Sequence, residues 1–182
     1  MSTYDVAVNG VWLSTAGASL FERRLPVLPE TDENTVKLAG VDGVVDFGSS
    51  YGARTIGLTF EITVSASEYH RTLAYMARTF NAKRGEITLE FADMPGKYYR
   101  AVYSGNLTLG ATGSRLIDVN LRMNDPWPTG GETVTEYTIT ASPQTAQVVS
   151  AADVRAQPVI TLVNTGGNVV HGFTITNEYE LE

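Results

Sequence analysis

Side chains that could perform catalysis are scarce in this sequence. The 182 residues include two histidines and no cysteine. His70 stands beside Arg71 on the polar side of a predicted helix, and His171 lies in a predicted strand with no acidic residue at a useful spacing. Neither position favours a Ser/His/Asp triad. The sequence also has no P-loop, no dinucleotide-binding glycine motif and no Gly-x-Ser-x-Gly elbow.

Acidic residues are the remaining chemical candidates. Two carboxylates in a cleft can hydrolyse a glycosidic bond, but Asp42, Asp46, Glu61, Glu86 and Glu90 each occupy a predicted turn or the polar face of a predicted strand. The spacing of Asp42 and Asp46 supplies too few oxygen ligands for a calcium loop. We therefore predict that the protein is not an enzyme and that it binds no metal and no cofactor.

Aromatic residues leave two interpretations open. Tyrosine and tryptophan favour both sugar grooves and protein interfaces, and they also fill the ends of β-sandwiches or pack beneath a helix. The residues concerned are Trp12, Tyr98, Tyr99, Tyr103 and Trp127.

Composition and charge disfavour a nucleic-acid-binding protein and a membrane-spanning protein. Apolar residues make up 43% of the chain, and the net charge is −7. Up to residue 128 there are 14 acidic and 12 basic residues, and beyond it there are six acidic residues and one basic residue, Arg155. An acidic chain of this kind disfavours nucleic-acid binding. No apolar run approaches the roughly 20 residues of a membrane span, and the first five residues predict no signal peptide.

A strand that runs into a helix is the centre of the predicted fold. Apolar and polar residues alternate strictly from 55 to 64, which is typical of a strand with one buried face. The period changes at Ser65, where Ser65 and Glu68 form a predicted capping box and Gly85 suits the end of the helix. We predict a helix over 65–84. Its predicted buried face consists of Tyr69, Leu73, Met76, Ala77 and Phe80.

The rest of the chain predicts β-structure around this unit. Asn9-Gly10 predicts a type I′ hairpin, and residues 29–34 predict an exposed loop. The glycine-rich residues 48–52 fit either a long β-arm or a loop between strands. We predict a mainly β (α+β) first domain over 1–128, a β-sandwich with one packed helix. A short linker at 129–131 and a β-rich segment over 129–182 follow, with strands at 132–141, 146–149, 158–163 and 169–176.

The order of several short motifs resembles one protein family. A Gly-Val-Asp-Gly turn at 40–43 precedes Tyr51-Gly52-Ala53-Arg54, a strand and a single helix. The stretch from Asp93 to Ala101 and a strand that ends in Asn-Asp-Pro-Trp at 124–127 follow. This order resembles the N-terminal, ring-forming domain of the distal tail proteins (Dit) of long-tailed phages, over residues 1–128. The segment after 128 is similar in style to the start of that family's galectin-like or carbohydrate-module-like second domain.

The resemblance implies a structural role in a virion tail. Such proteins form a hexameric ring that joins the tail tube protein to tail-associated adhesion proteins, with a central channel through which DNA passes. It implies synthesis in the host cytoplasm and no contact with a membrane. Two alternatives remain: a carbohydrate-binding β-module, or another tail component such as a tube or tail-completion protein. The predicted interface or structural residues are Tyr51, Arg54, Pro95, Tyr98, Tyr99 and Trp127.

Overall fold

The computed structural model describes residues 4–105, 107–109, 115–150, 152, 154 and 156–178. The chain divides into two compact units, 1–134 and 135–182. The described residues of the first unit form ten strands and the helix α1, Tyr69–Thr79, with short 3-10 turns at Leu13–Ala16 and Ala82–Arg84. The strands are β1 Val6–Val8, β2 Val11–Trp12, β3 Ala18–Arg24, β4 Thr31–Val36, β5 Val45–Tyr51, β6 Arg54–Ile62, β7 Ile87–Phe91, β8 Tyr98–Tyr103, β9 Thr108–Leu109 and β10 Leu116–Met123.

Eight of the strands form one antiparallel sheet. Its order is β2-β1-β7-β8-β10-β6-β3, with β9 paired to β10. The first residues of β8 pair with β7, whereas Val102 and Tyr103 pair with β10, so β8 joins the two halves of the sheet. The predicted mainly β fold with one packed helix is confirmed. The hairpin at Asn9-Gly10 is also confirmed, with both residues at positive φ as a type I′ turn requires.

The core lies between the two halves of the sheet and the helix. Ile56, Leu58, Phe60 and Ile62 of β6 are buried and alternate with more exposed residues, as the sequence predicts. The ring of Phe80 packs 5.8 Å from that of Phe60, which fixes the end of the helix on the sheet. Strand β10 shows the same alternation along its whole length. Burial of these apolar side chains is the main force that stabilises the sheet.

Helix α1 is shorter than the predicted span of 65–84. It begins at Tyr69, and the side chain of the N-cap residue, Glu68, makes no capping hydrogen bond to the backbone of the first turn. The Ser65 hydroxyl donates to the Glu68 carboxylate at 3.3 Å, and the Glu68 amide donates to the Ser65 carbonyl. The predicted capping box is therefore wrong, because residues 66–68 close a turn before the helix. After Phe80 the chain leaves the helix for the 3-10 turn, which ends at Gly85.

The buried face of the helix also differs from the prediction in two positions. Met76 and Phe80 are buried, but Ala77 is exposed and Thr72 is buried instead. The Thr72 hydroxyl donates to the Ala16 carbonyl at 3.3 Å. A polar residue is accepted at this position because its hydroxyl has a hydrogen-bond partner.

Residues 29–34 do not form the predicted loop. Strand β4 begins at Thr31 and pairs with β5 from Thr31↔Tyr51 to Val36↔Val45, with an irregularity between Glu33 and Thr35. Of the two alternatives for residues 48–52, the β-arm is the correct one, since β5 runs to Tyr51. We call residues 31–51 the arm. Polar composition misled the prediction because the arm buries neither face and therefore shows no apolar alternation.

The second unit contains no strand among its described residues. The four strands predicted at 132–141, 146–149, 158–163 and 169–176 are therefore not found in the described part of the chain. The described residues from 135 onward are all exposed. Their β-prone composition reflects a local preference, but a strand also needs a partner for its backbone hydrogen bonds. The predicted linker is also shifted, since Thr129 pairs with Tyr98 and Gly130 is the first exposed residue after it.

Candidate assembly interface

The arm is the most exposed element of the first unit. Every residue from 30 to 51 is exposed. Large apolar side chains are among them: Phe47 is 68% exposed and Val44 61% exposed. An isolated two-stranded hairpin is marginally stable in water. Exposed apolar residues on such an element are typical of a surface that binds another protein.

Arg54 anchors the base of the arm. It is the first residue of β6, the third residue after the end of the arm, and only 5% of the residue is exposed. Its guanidinium donates to two backbone carbonyls. One belongs to Pro26, which precedes the arm, and the other, at 3.3 Å, belongs to Pro126, which follows β10. The guanidinium also lies 5.9 Å from the centre of the Tyr99 ring. One side chain thus ties the two ends of the arm to the end of the last strand.

Burial makes this arginine electrostatically unusual. Desolvation lowers the pKa of Arg54, but a guanidinium stays charged in proteins. Its partners are neutral carbonyls and an aromatic ring, and its Nε atom has no hydrogen-bond partner in the structure. Carbonyl oxygens and the face of a tyrosine ring carry the partial negative charge that stabilises the cation.

Tyr51 and Trp127 form a second contact at the same place. Their ring centres are 5.3 Å apart, with the planes at 87°, an edge-to-face geometry. Tyr51 is the last residue of the arm, and Trp127 follows Pro126. Four of the six residues predicted from the sequence therefore meet at the base of the arm. We call this group the arm-base cluster: Tyr51, Arg54, Tyr99 and Trp127.

Pro95 and Tyr98 lie outside the arm-base cluster. Pro95 is exposed in the turn between β7 and β8, where the Lys97 amide donates to the Met94 carbonyl and Gly96 has φ of 78°. The backbone of Tyr98 exchanges two hydrogen bonds of 2.8 Å with Thr129. The backbone of Tyr98 thus holds in place the segment that follows Trp127.

An ion pair that the sequence did not predict joins β3 to the turn that follows β7. Both Nη atoms of Arg23 donate to the carboxylate of Asp93 at 2.7 Å, and the guanidinium lies 4.6 Å from the centre of the Phe91 ring. These hydrogen bonds, donated by Arg23 and accepted by Asp93, lower the pKa of Asp93 and raise the pKa of Arg23. Seventy residues separate the partners, so no local spacing could have indicated the pair.

The described residues contain no cluster of three or more His, Cys, Asp or Glu side chains that could hold a metal ion. Among the same residues, no helix has the length and apolar character needed to cross a membrane.

Comparison with solved structures shows the fold. The chain is similar to the Dit protein of phage SPP1, whose structure is described as a paradigm of the hub adsorption apparatus in phages that infect Gram-positive bacteria. Identity is 21% and the TM-score is 0.61, with 70% of this chain and 52% of the SPP1 protein covered. A chain of the phage p2 baseplate, in its activated conformation with strontium, matches at 10% identity and a TM-score of 0.49, with 81% and 57% covered. The chain thus spans little more than half the length of these proteins.

A search of curated proteins gives no match. The profile of the phage tail protein RIFT-related domain matches residues 18–122, which run from the first residue of β3 to near the end of β10. This match and the shared fold confirm the resemblance to the distal tail proteins of long-tailed phages, and they identify a structural component of a virion tail. The chain belongs to the family of phage tail proteins that contain the RIFT-related domain.

Proposed function

We propose that this protein forms a hexameric hub ring at the tip of a long phage tail. The ring would join the tail tube protein to tail-associated adhesion proteins, and it would leave a central channel for DNA. The observation that carries this proposal is the arm, a β-hairpin in a tail-family chain that is exposed along its whole length. A closed ring needs two different surfaces on each copy, one of which meets the other on the next copy.

The arm-base cluster supports the proposal through its position. It fixes the two ends of the arm against the residues that follow β10. A projecting element whose base is already fixed loses less conformational entropy when it binds a neighbouring subunit. Tyr51, Arg54, Tyr99 and Trp127 are thus the residues that would orient the arm, and Tyr98 and Pro95 would hold the adjoining turn and chain exit.

We also propose that the two regions of the chain have different roles. Residues 1–128 would form the ring, and residues 129–182 would begin a β-rich region that resembles part of a galectin-like or carbohydrate-binding module. The protein would be made in the host cytoplasm, would have no enzymatic activity and would meet DNA only in transit. A net charge of −7 is consistent with passage of DNA, since like charges reduce adhesion to phosphates.

The test is the molar mass of the protein by light scattering on a sizing column, followed by negative-stain microscopy. We expect a species of six times 19.7 kDa with a central hole. Open stacks of variable length would instead favour a tube protein. A monomer at all concentrations that binds immobilised glycans would favour a carbohydrate-binding module, and it would contradict the hub.

A further inference from the structure

We infer that the arm of one copy binds the exposed face of helix α1, and the 3-10 turn that follows it, on a second copy. This inference rests on the proposed ring and adds to it the pair of surfaces that meet. It follows from the distribution of charge and apolar surface over the first unit.

The arm is acidic. Residues 30–51 contain five acidic residues and a single basic one, Lys37, so their net charge is −4. All of them are exposed, and within the described residues none of their carboxylates forms an ion pair. The acidic residues are Glu30, Asp32, Glu33, Asp42 and Asp46.

The helix and the turn after it are basic. Residues 69–84 contain four basic residues and no acidic one, so their net charge is +4. Arg71 and Arg78 are two helical turns apart and lie on one face. Both are exposed, as are Lys83 and Arg84 in the 3-10 turn. In the described part of the chain none of these four cations has a carboxylate partner within salt-bridge distance.

The surfaces between these charges also fit each other. Ala74 and Ala77 are exposed on the helix beside the arginines, and such small side chains let another backbone approach closely. The arm presents Val44 and Phe47, which would cover them. An interface of this kind has an apolar centre and a charged rim, which is the usual anatomy of a protein–protein contact.

The occupant is a second copy because the arm is uncovered in its own chain. Every arm residue is exposed, so the helix of the same copy does not shield it. Each copy would give one arm and receive another, which is the heterologous contact that closes a ring. The open edge of β3 is a less suitable acceptor, since the bulge at Phe21 interrupts it and Glu22 lies beside Arg23 and Arg24.

Charge reversal tests the pairing. The arm variant carries Glu33→Lys and Asp42→Lys, and the helix variant carries Arg71→Glu and Arg78→Glu. Each should raise the dissociation constant of the ring by about tenfold or more, because the net charge of the altered surface goes from −4 or +4 to zero and the exchanged side chains repel the charges that they faced. A chain that carries all four changes should form rings again, and so should an equimolar mixture of the two variants. The measurements are molar mass against concentration, with circular dichroism melts to establish that each variant is folded.

The matched control is Arg100→Glu with Arg122→Glu, two exposed arginines on β8 and β10. It removes the same charge and should leave assembly unchanged. If wild-type rings form but the helix variant assembles as well as the wild type, the pairing is wrong and the hub proposal stands. If the wild type forms no ring at all, the hub proposal fails first. Equal losses in the control and the helix variant would also overturn the pairing.

A second measurement does not depend on charge reversal. The chain has no native cysteine, so Val44→Cys and Ala74→Cys introduced together give the sole thiols. A short bismaleimide should link copies into a ladder on a denaturing gel, and Val44→Cys with Arg122→Cys should not. Linkage in the second pair but not in the first would contradict the proposal.

Discussion

Strand β6 and the arm are neighbours in sequence, separated by Gly52 and Ala53, yet different interactions stabilise them. Strand β6 buries alternate side chains and is paired on both sides, by β10 and β3. Among the residues that the structure describes, the two strands of the arm pair only with each other, and no arm residue is buried. Hydrophobic burial therefore stabilises β6, whereas backbone hydrogen bonds and the arm-base cluster stabilise the arm. The difference indicates that β6 serves the stability of the domain and that the arm serves a partner.

The same substitution in both regions gives the largest expected contrast. Phe60→Ala should reduce the free energy of unfolding by about 3–5 kcal/mol, because it leaves a cavity in the core. Phe47→Ala should change it by less than about 0.5 kcal/mol, since the ring is exposed. Denaturant titrations at protein concentrations that keep the chain monomeric measure both. A comparable loss in the two variants would mean that the arm packs on the domain.

Two glycines at positive φ sharpen the contrast. Gly17 and Gly43 have φ of 84° and 91°, but a Cβ on Gly17 would lie 2.1 Å from Val64 Cγ1 whereas one on Gly43 meets nothing. Gly17→Ala should cost about 2–4 kcal/mol, the sum of backbone strain and steric overlap. Gly43→Ala should cost less than about 1 kcal/mol because the arm can open locally. Thermal melts compare the stabilities of the two variants. Equal losses would mean that steric overlap with Val64 contributes nothing and that backbone strain accounts for both.

Arg54 connects the two regions, and two variants separate its charge from its shape. Arg54→Lys should cost about 1–2 kcal/mol, because lysine keeps the buried charge but loses the fork that reaches two carbonyls. Arg54→Met should cost less, since it removes the charge that burial disfavours. Both should increase cleavage of the arm by a protease, followed on a gel. A more stable lysine variant than methionine variant would contradict the electrostatic account.

The smallest expected effect concerns the ion pair of Arg23 and Asp93. Its partners are partly exposed, with side-chain accessibilities of 16% and 32%, so Asp93→Asn should cost about 0.5–1 kcal/mol near neutral pH. The pKa of Asp93 is lowered in the folded state, so this stability is present above the unfolded pKa of about 4 and is lost as pH falls through the folded value. Melts from pH 7 to 2 should show a shallower acid decline for Asp93→Asn. Asp42→Asn on the arm, which has no cationic partner among the described residues, should match the wild type.

The sequence by itself predicted the elements whose stability is local or periodic. The alternation in β6 and β10 follows from one buried face, and the Asn9-Gly10 hairpin follows from the two positive φ angles that these residues tolerate. The order of these elements and motifs was also enough to indicate the tail family. The sequence indicated the arm only as one of two alternatives, because a hairpin exposed on both faces has no apolar alternation. The four strands predicted after residue 131 are not found among the described residues, because a β-prone composition alone does not provide a neighbouring strand for the backbone hydrogen bonds.

Only the tertiary structure decided which distant residues meet. Arg54 reaches carbonyls 28 and 72 residues away, and Arg23 pairs with Asp93 across 70 residues. The sequence named Tyr51, Arg54, Tyr99 and Trp127 as candidates but did not place them together. The antiparallel order of the sheet does so, because it brings the start of β6 beside the end of β10. Residue types thus determined the elements, and the pairing of strands far apart in the chain determined the arm-base cluster.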